Sequence, residues 1–158
     1  MSEALATEVL ALARAAGVMI ATAESCTGGL VVGALTAIPG SSDVVDRGFV
    51  TYANAAKREM LGVRAETLDT HGAVSEEVAA EMVLGALSHS GAGLAVSITG
   101  IAGPGGSEFK PEGRVCFGIA RKGGNAHTET IEFGPLGRAE VRAASVQHAL
   151  ILLRDALI

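Results

Sequence analysis

Apolar residues recur every three or four positions over residues 4–16, which is the spacing of one face of an α-helix. The apolar stripe consists of Leu5, Val9, Leu12 and Ala16. Gly17 follows it, and glycine commonly ends a helix. Residues 18–24 instead form a near-continuous apolar run, which is typical of a strand buried on both faces of an α/β sheet. The chain is therefore predicted to open with an amphipathic helix and a central strand.

The two patterns alternate along the rest of the chain. Further helices are predicted at 28–37, 54–61 with Asn54 as N-cap, 65–71, 76–90 with Ser75 as N-cap, and from Arg138 onwards. The apolar stripe of the last helix consists of Ala143, Val146, Leu150, Leu153 and Leu157. Further strands are predicted at 44–53, 94–101, 115–121 and 127–133, with a glycine-rich loop over 102–113 and a hairpin formed by the last two. This order predicts a three-layer α/β/α sandwich with a mixed sheet, as a single domain over residues 1–158.

Composition and charge narrow the class of protein. The 158 residues carry a formal net charge of −5, and only 3% of them are aromatic. General nucleic-acid binding needs a basic face and benefits from stacking aromatics, so nucleic acid is not expected as a partner. Cys26 and Cys116 have neither metal-ligand spacing nor a disulfide framework, and the histidines form no His-x-x-x-His pair. We therefore expect no metal.

The sequence pattern indicates neither an export signal nor a membrane-spanning segment. Residues 1–3 carry no basic charge and no signal-peptide core follows them, while the apolar runs are too short to span a bilayer. A cytoplasmic protein without membrane contact is expected. The apolar composition favours a homo-oligomer, of which a homodimer is the simplest.

Small polar residues and glycines follow three of the predicted strands. Ser25 comes after the first, in a segment that leads into a helix, whereas Tyr52 and Thr99-Gly100 close two others. Ligands bind at the C-terminal ends of strands in open α/β sheets, so these residues are candidates for one shared site. Unpaired N–H groups at the helix start would suit an oxyanion or a phosphate beside Ser25. An ordinary turn is the alternative explanation of this segment.

Lys57 is the candidate base. It lies in the first turn of the helix predicted at 54–61, in a small and nearly uncharged stretch. A helix start and partial burial both lower a lysine pKa from its usual value of about 10.4. A neutral lysine can take the proton of Ser25, as in a Ser/Lys pair. A solvated surface lysine is the alternative.

Two further segments are candidates for binding an anion. The glycine-rich segment 99–106 can bring backbone N–H groups close to a ligand, although it lacks the Gly-Lys-Ser/Thr of a nucleoside triphosphate loop. Arg138 and Arg142 lie one turn apart near the start of the last helix, where the helix dipole disfavours cations. A bound anion would relieve that conflict, and a solvated surface pair is the alternative.

Together these segments resemble the C-terminal domain of the competence/damage-inducible CinA family, which includes stand-alone nicotinamide mononucleotide deamidases. The resemblance covers nearly the whole chain, in order, through Ala-Glu-Ser-Cys-Thr-Gly-Gly at 23–29, Pro-Gly-Ser-Ser at 39–42, Gly-Phe-Val-Thr-Tyr-Ala-Asn at 48–54, Lys57, Leu-Gly-Val at 61–63, His-Gly-Ala-Val-Ser-Glu-Glu-Val-Ala at 71–79 and the loop 99–106. It implies hydrolysis of nicotinamide mononucleotide to nicotinic acid mononucleotide and ammonia, in NAD recycling and without a cofactor. Larger members carry a further N-terminal molybdopterin-binding-like domain, for which this chain is expected to be too short.

The resemblance also implies roles for individual residues. Ser25 would be the nucleophile and Lys57 its general base, with Tyr52 near the pyridine ring or near Lys57. The residues expected to bind substrate are Cys26, Thr27, Gly28, Gly29, Thr99, Gly100, Ala102, Gly103, Arg138 and Arg142. Among them, N–H groups of 26–29 or of the 99–106 loop would stabilise the oxyanion, and an arginine with that loop would hold the phosphate.

Two alternatives to this mechanism stay open. Cys26 could itself be the nucleophile, because a thiolate at a helix start is chemically reasonable. The protein could also be a catalytically silent nucleotide-binding or interaction module linked to competence or DNA damage. The chain departs from the family at three positions: Ala55 replaces a glutamate, Gly137 replaces an aspartate before Arg138, and Arg114 replaces a small or hydroxyl residue.

Overall fold

The computed structural model of the protein describes residues 2–107 and 109–158. Met1, at the start of the segment without a signal-peptide pattern, and Glu108, in the loop 102–113, lie outside the described residues. The strands are β1 (Ile20–Glu24), β2 (Val45–Val50), β3 (Leu94–Gly100), β4 (Arg114–Arg121) and β5 (His127–Glu132). The helices are α1 (Ser2–Ala16), α2 (Leu30–Thr36), α3 (Asn54–Leu61), α4 (Ala65–His71), α5 (Glu76–Ser88) and α6 (Arg138–Leu157), with a short 3-10 turn at Ser41–Asp43.

The strands form one mixed sheet in the order β2-β1-β3-β4-β5. β1 pairs in parallel with β2 and with β3, whereas the β3–β4 and β4–β5 pairs are antiparallel. Parallel strands need crossover connections: α2 connects β1 to its neighbour β2, and α3 to α5 lead from β2 past β1 to β3 on its other side. The predicted hairpin of β4 and β5 closes the sheet.

Helices cover both faces of the sheet, and the strand side chains alternate between two cores. On one face, large residues such as Ile20 and Phe117 pack with α1, α2 and α6. On the other face, the sheet presents alanines such as Ala21 and Ala95 to α5. Because successive strand residues point to opposite faces and both faces are covered, the central strands are buried and mainly apolar, with Thr22, Glu24, Ser97 and Thr99 as buried polar residues. The predicted three-layer α/β/α sandwich is confirmed.

Of the two predicted helix N-caps, one is confirmed and the other is wrong. Ser75 caps α5 as predicted, with its Oγ accepting the N–H of Val78 at 3.2 Å. Asn54 does not cap α3: the N-cap is Ala53, which makes no side-chain hydrogen bond, so Asn54 is the first helical residue. The prediction of an asparagine cap was wrong because the chain enters the helix one residue earlier.

The buried face of α6 also differs from the predicted stripe. Ala143 is exposed, while Ser145 is buried and its Oγ donates to the carbonyl of Val141 at 2.7 Å. A serine that bonds its own helix satisfies its hydroxyl and can therefore enter a core. Within the described residues, none of the helices combines the length and the apolar character needed to cross a lipid bilayer.

The parallel strands bring three chain segments to one edge of the sheet. Glu24, the last residue of β1, lies opposite Val50 of β2 and Ile98 of β3. The residues that follow these three positions therefore meet at the same edge. Ser25 is one of them, and Gly100 ends β3 there.

Candidate active site

Ser25 stands directly after β1, in a tight loop that leads into α2. Its N–H donates to the carbonyl of Ile98 at 2.9 Å, and its own carbonyl accepts the N–H of Gly28 at 3.0 Å. Only 8% of the residue is exposed. Because the backbone is held on both sides, the hydroxyl has a defined position at the sheet edge.

Lys57 reaches this hydroxyl from α3. Its Nζ lies 2.9 Å from Ser25 Oγ and donates to the carbonyls of Thr51 at 3.0 Å and Tyr52 at 3.2 Å. The residue is 1% exposed. The two carbonyls orient the amine so that a further tetrahedral position of Nζ faces the serine. Two residues singled out separately in the sequence are therefore in hydrogen-bond contact.

A pocket of about 200 Å³ lies beside this pair. The residues expected in the site that line it are Ser25, Cys26, Tyr52, Lys57, Thr99, Gly100, Ala102 and Arg138. Those expected in the site that do not line it are Thr27, Gly28, Gly29, Gly103 and Arg142. Its wall also includes Asn54, Ala73, Val74, Ile101 and Ser107, which were not among the individual residues expected in the site. These residues reach the pocket only through the fold.

Glu24 supports the loop that carries Ser25, a role that was not predicted from the sequence. It is fully buried. Its Oε1 accepts three hydrogen bonds, from Thr27 Oγ1 at 2.6 Å and from the N–H groups of Val31 at 2.9 Å and Gly29 at 3.2 Å. Its Oε2 accepts two more, from the N–H of Val32 at 3.0 Å and from Thr22 Oγ1 at 3.3 Å. Such donors and the dipole of a helix start both stabilise a carboxylate. An acidic residue just before a Gly-Gly helix start was the signal that could have identified it.

This carboxylate occupies the helix start at which an oxyanion was expected. The N–H of Gly29 donates to Glu24 and that of Gly28 to a carbonyl of the same turn, so neither is available to a substrate. Among the described residues, the N–H of Thr27 has no acceptor, and the N–H of Cys26 meets only its own thiol. The N–H groups of Cys26 and Thr27 are therefore the two backbone donors of this loop that remain for an oxyanion.

The thiol of Cys26 is held in its neutral form. Burial raises its pKa from 9.0 to about 12, and the nearby carboxylate of Glu24 acts in the same direction. Arg142 and Lys57 oppose this change more weakly. A neutral thiol is a poor nucleophile at physiological pH, so the chemistry of the pocket disfavours the alternative in which Cys26 attacks.

Arg138 and Arg142, both near the start of α6, occupy different places. Arg138 lines the pocket, where its Nη2 donates to Tyr52 Oη at 2.7 Å and its Nη1 to the carbonyl of Gly103 at 2.7 Å. Arg142 Nε instead donates to the carbonyl of Cys26 at 3.1 Å. Arg138 is therefore placed to meet a ligand, and Arg142 supports the loop that carries Ser25.

Thr99 and Gly100 line the pocket, and their own contacts hold this part of its wall in place. The Thr99 hydroxyl donates to the carbonyl of Ala73 at 2.8 Å. A Cβ at Gly100 would lie 2.7 Å from a methyl group of Val115, so the strand needs glycine there. Residues 2–107 and 109–158 contain no group of three or more His, Cys, Asp or Glu side chains that could hold a metal ion.

Comparison with known proteins identifies the family. A profile described as the CinA C-terminal domain matches residues 2–157. The chain belongs to this family. It is 50% identical to the nicotinamide-nucleotide amidohydrolase PncC of Enterobacter agglomerans over 97% of its own length and 92% of that protein. The crystal structure of the competence/damage inducible protein CihA from Agrobacterium tumefaciens has a TM-score of 0.94 and 53% identity, covering 99% of this chain and 94% of that one.

CinA domains also occur within longer proteins. A CinA-like protein of Chlorobium phaeobacteroides (strain BS1) is 61% identical over 120 residues, which are 74% of this chain but only 29% of that protein. The present chain thus spans less than a third of that relative and nearly all of the amidohydrolase.

The three positions that depart from the CinA pattern do not line the pocket beside the serine and the lysine. Arg114 Nε pairs with Glu132 at 2.8 Å on the hairpin. Ala55 is exposed on α3. Gly137 is the N-cap of α6 and offers no side-chain cap to that helix.

Proposed function

We propose that this protein hydrolyses the carboxamide of nicotinamide mononucleotide to nicotinic acid mononucleotide and ammonia, with Ser25 as nucleophile and Lys57 as general base. The observation that carries the proposal is the 2.9 Å separation of Ser25 Oγ and Lys57 Nζ beside a pocket. The substrate is supported by 50% identity, over almost the whole chain, to a protein named nicotinamide-nucleotide amidohydrolase. The proposed setting is NAD recycling in the cytoplasm by a homo-oligomer that needs neither nucleic acid nor membrane.

In the first half-reaction, neutral Lys57 Nζ accepts the hydroxyl proton while Ser25 Oγ forms a bond to the carboxamide carbon. The carbonyl electron pair moves to oxygen and gives a tetrahedral intermediate. The Lys57 ammonium group then protonates the amide nitrogen, and the C–N bond breaks with its electron pair going to nitrogen. Ammonia leaves, and the nicotinoyl group stays on Ser25 as an ester.

In the second half-reaction, a water molecule takes the place of ammonia. Lys57 Nζ accepts a proton from this water while the water oxygen attacks the ester carbon. The bond to Ser25 Oγ then breaks, and the oxygen recovers its proton from Lys57. The products are the free serine, the neutral lysine and nicotinic acid mononucleotide, so one water is consumed for each ammonia released.

The negative oxygen of both intermediates needs hydrogen-bond donors. The N–H groups of Cys26 and Thr27 are the proposed donors, because no other described residue accepts from them. The N–H of the residue after a nucleophile serves in this way in other hydrolases. Removing one such donor typically costs about 3 kcal/mol of barrier.

The nucleotide phosphate is proposed to bind at Arg138. This guanidinium lines the pocket, whereas Arg142 is directed at the carbonyl of Cys26. Tyr52 is 61% exposed and shares its Oη with Arg138, so its ring can pack on the pyridine ring or on the ribose. Arg138 also donates a hydrogen bond to the carbonyl of Gly103. The two groups proposed to bind the phosphate, Arg138 and the 99–106 loop, are therefore in contact with each other.

The test is ammonia release from nicotinamide mononucleotide by the purified protein and its variants. Ser25→Ala should lower kcat by at least about 10³-fold, because the covalent route is lost. Ser41→Ala is the matched control: Ser41 is also buried, but it lies in the 3-10 turn before β2, at the opposite end of the sheet. A Ser25→Ala protein with the wild-type rate would overturn the mechanism.

Two other outcomes identify the alternatives. Substantial turnover by Cys26→Ala is expected, and its complete loss would instead indicate a cysteine nucleophile. Binding of nicotinamide mononucleotide by the wild-type protein without release of ammonia would replace the enzyme with a catalytically silent nucleotide-binding module. Related pyridine nucleotides in the same assay define the substrate.

A further inference from the structure

Glu112 joins two segments of the candidate site through one carboxylate. It lies in the loop before β4 and is half-buried. Its Oε1 accepts the N–H of Gly105 at 2.8 Å, and its Oε2 accepts the N–H of Gly137 at 2.9 Å. Gly105 belongs to the glycine-rich segment 99–106, which is called the glycine-rich loop from here on, and Gly137 is the N-cap of α6. Both segments contribute to the pocket wall, the first through Ala102 and the second through Arg138.

The glycine-rich loop packs closely against this carboxylate. A Cβ at Gly103 would lie 2.6 Å from Glu112 Cδ, and Gly103 has a φ of +93°, which side chains disfavour. The carbonyl of Gly103 accepts Nη1 of Arg138. The loop and α6 are therefore linked twice, by the carboxylate of Glu112 and by the guanidinium of Arg138.

Charge explains why a carboxylate suits this position. The start of the 20-residue helix α6 carries a partial positive charge, and Gly137 has no side chain with which to cap it. Arg138 adds a cation in the first turn, where the dipole disfavours it. Glu112 reaches the N-cap N–H from another part of the chain and offsets both effects.

We propose that Glu112 is a positioning residue that sets Arg138 and the glycine-rich loop for the anionic group of the substrate. This inference rests on the proposed function, since it assigns to that site the residue that positions the nucleotide phosphate. Among the described residues, Glu112 accepts hydrogen bonds from the N–H groups of Gly105 and Gly137, which belong to the segments that carry the proposed phosphate site. An interaction that holds the substrate equally in its ground and transition states changes KM and leaves kcat unchanged.

Steady-state ammonia release by the full chain tests this. Glu112→Ala is expected to raise KM for nicotinamide mononucleotide by about tenfold with kcat within about twofold. Glu112→Gln should be intermediate, because its amide oxygen accepts one N–H while its NH₂ group faces the other. The matched control is Glu132→Gln, a carboxylate on the neighbouring strand that pairs with Arg114 at 2.8 Å and does not line the pocket.

A double mutant separates positioning from a general structural effect. If Glu112 acts through Arg138, Glu112→Ala should add little to the KM of Arg138→Ala. Full additivity of the two substitutions, a wild-type KM for Glu112→Ala, or a fall in kcat at unchanged KM would each overturn the proposal. Thermal unfolding of each variant confirms that the proteins compared are folded.

A binding measurement distinguishes failure of this inference from failure of the proposed function. Calorimetric titration of Ser25→Ala protein with nicotinic acid mononucleotide measures affinity without turnover. Weaker binding after an added Glu112→Ala change supports the positioning role even if the wild-type protein releases no ammonia. Equal affinity with and without Glu112 contradicts the role, whatever the rate of turnover.

Discussion

Ser25 Oγ and Lys57 Nζ lie 2.9 Å apart, although 32 residues separate them along the chain. One residue follows the central strand β1, and the other lies on the first turns of α3. The carbonyls of Thr51 and Tyr52 orient the amine between them. The arrangement needs a group that both donates to carbonyls and accepts a proton, which a lysine amine can do.

Replacing Lys57 tests that requirement. Lys57→Met keeps the length of the side chain but removes the base, and kcat should fall by about 10³-fold. Lys57→Arg should not restore activity, because a guanidinium cannot accept a proton at usable pH. Ammonia release measures both variants. Near-wild-type turnover by Lys57→Arg would mean that only the positive charge matters.

Glu24 should contribute strongly to stability. Glu24→Gln places an NH₂ group against donors that need an acceptor, and we expect the free energy of unfolding to fall by about 2–3 kcal/mol. Thr27→Val removes one donor to Glu24 and should cost about 1 kcal/mol. Urea unfolding measures both changes. Equal stability of Glu24→Gln and wild type would show that the buried carboxylate is not needed.

Two helical glycines form a matched pair for packing. A Cβ at Gly85 in α5 would lie 2.0 Å from the carbonyl oxygen of Leu61, so Gly85→Ala should destabilise the fold by at least about 2 kcal/mol. A Cβ at Gly33 in α2 meets nothing within 4 Å, so Gly33→Ala should stabilise by about 0.5–1 kcal/mol. Thermal and urea unfolding should give opposite signs. The same sign for both would contradict the close contact of α3 with α5.

The Cys26 thiol should make stability depend on alkaline pH. Its pKa is raised from 9.0 to about 12 by burial, so the folded state holds the proton more tightly than the unfolded state. The resulting stabilisation is fully present below pH 9 and is lost as pH rises toward 12. The wild-type protein should therefore lose about 1 kcal/mol more per pH unit than Cys26→Ala above pH 9. Parallel pH profiles for the two proteins would contradict the burial of a neutral thiol.

Local patterns predicted the elements well. The period of two in strands and of 3.6 in helices depends on neighbouring residues alone, so α3, α4 and the hairpin were found nearly to the residue. Ser75 was recognised as a cap because its partner lies three residues away. The helix predicted from residue 28 begins at Leu30, because Gly28 and Gly29 adopt positive φ values of 57° and 101°.

The charged groups were harder to interpret, because their partners are distant in sequence. Arg138 and Arg142 form one pair in the sequence, yet only Arg138 lines the pocket. Glu24 and Glu112 had no assigned role, although each carboxylate organises a loop of the site. Local spacing carries no information about such contacts.

By itself, the sequence determined the order of helices and strands, the three-layer α/β/α sandwich with a mixed sheet, and the CinA family. It also determined the few candidate site residues that lie at the ends of strands. These follow from periodicity and from motifs a few residues long. Only the tertiary structure decided that Lys57 reaches Ser25, that Glu24 occupies the helix start expected to hold an oxyanion, and that Glu112 joins the glycine-rich loop to α6. A hydrogen bond forms only when its two atoms come within about 3 Å, and the packing of both faces of the sheet sets that distance.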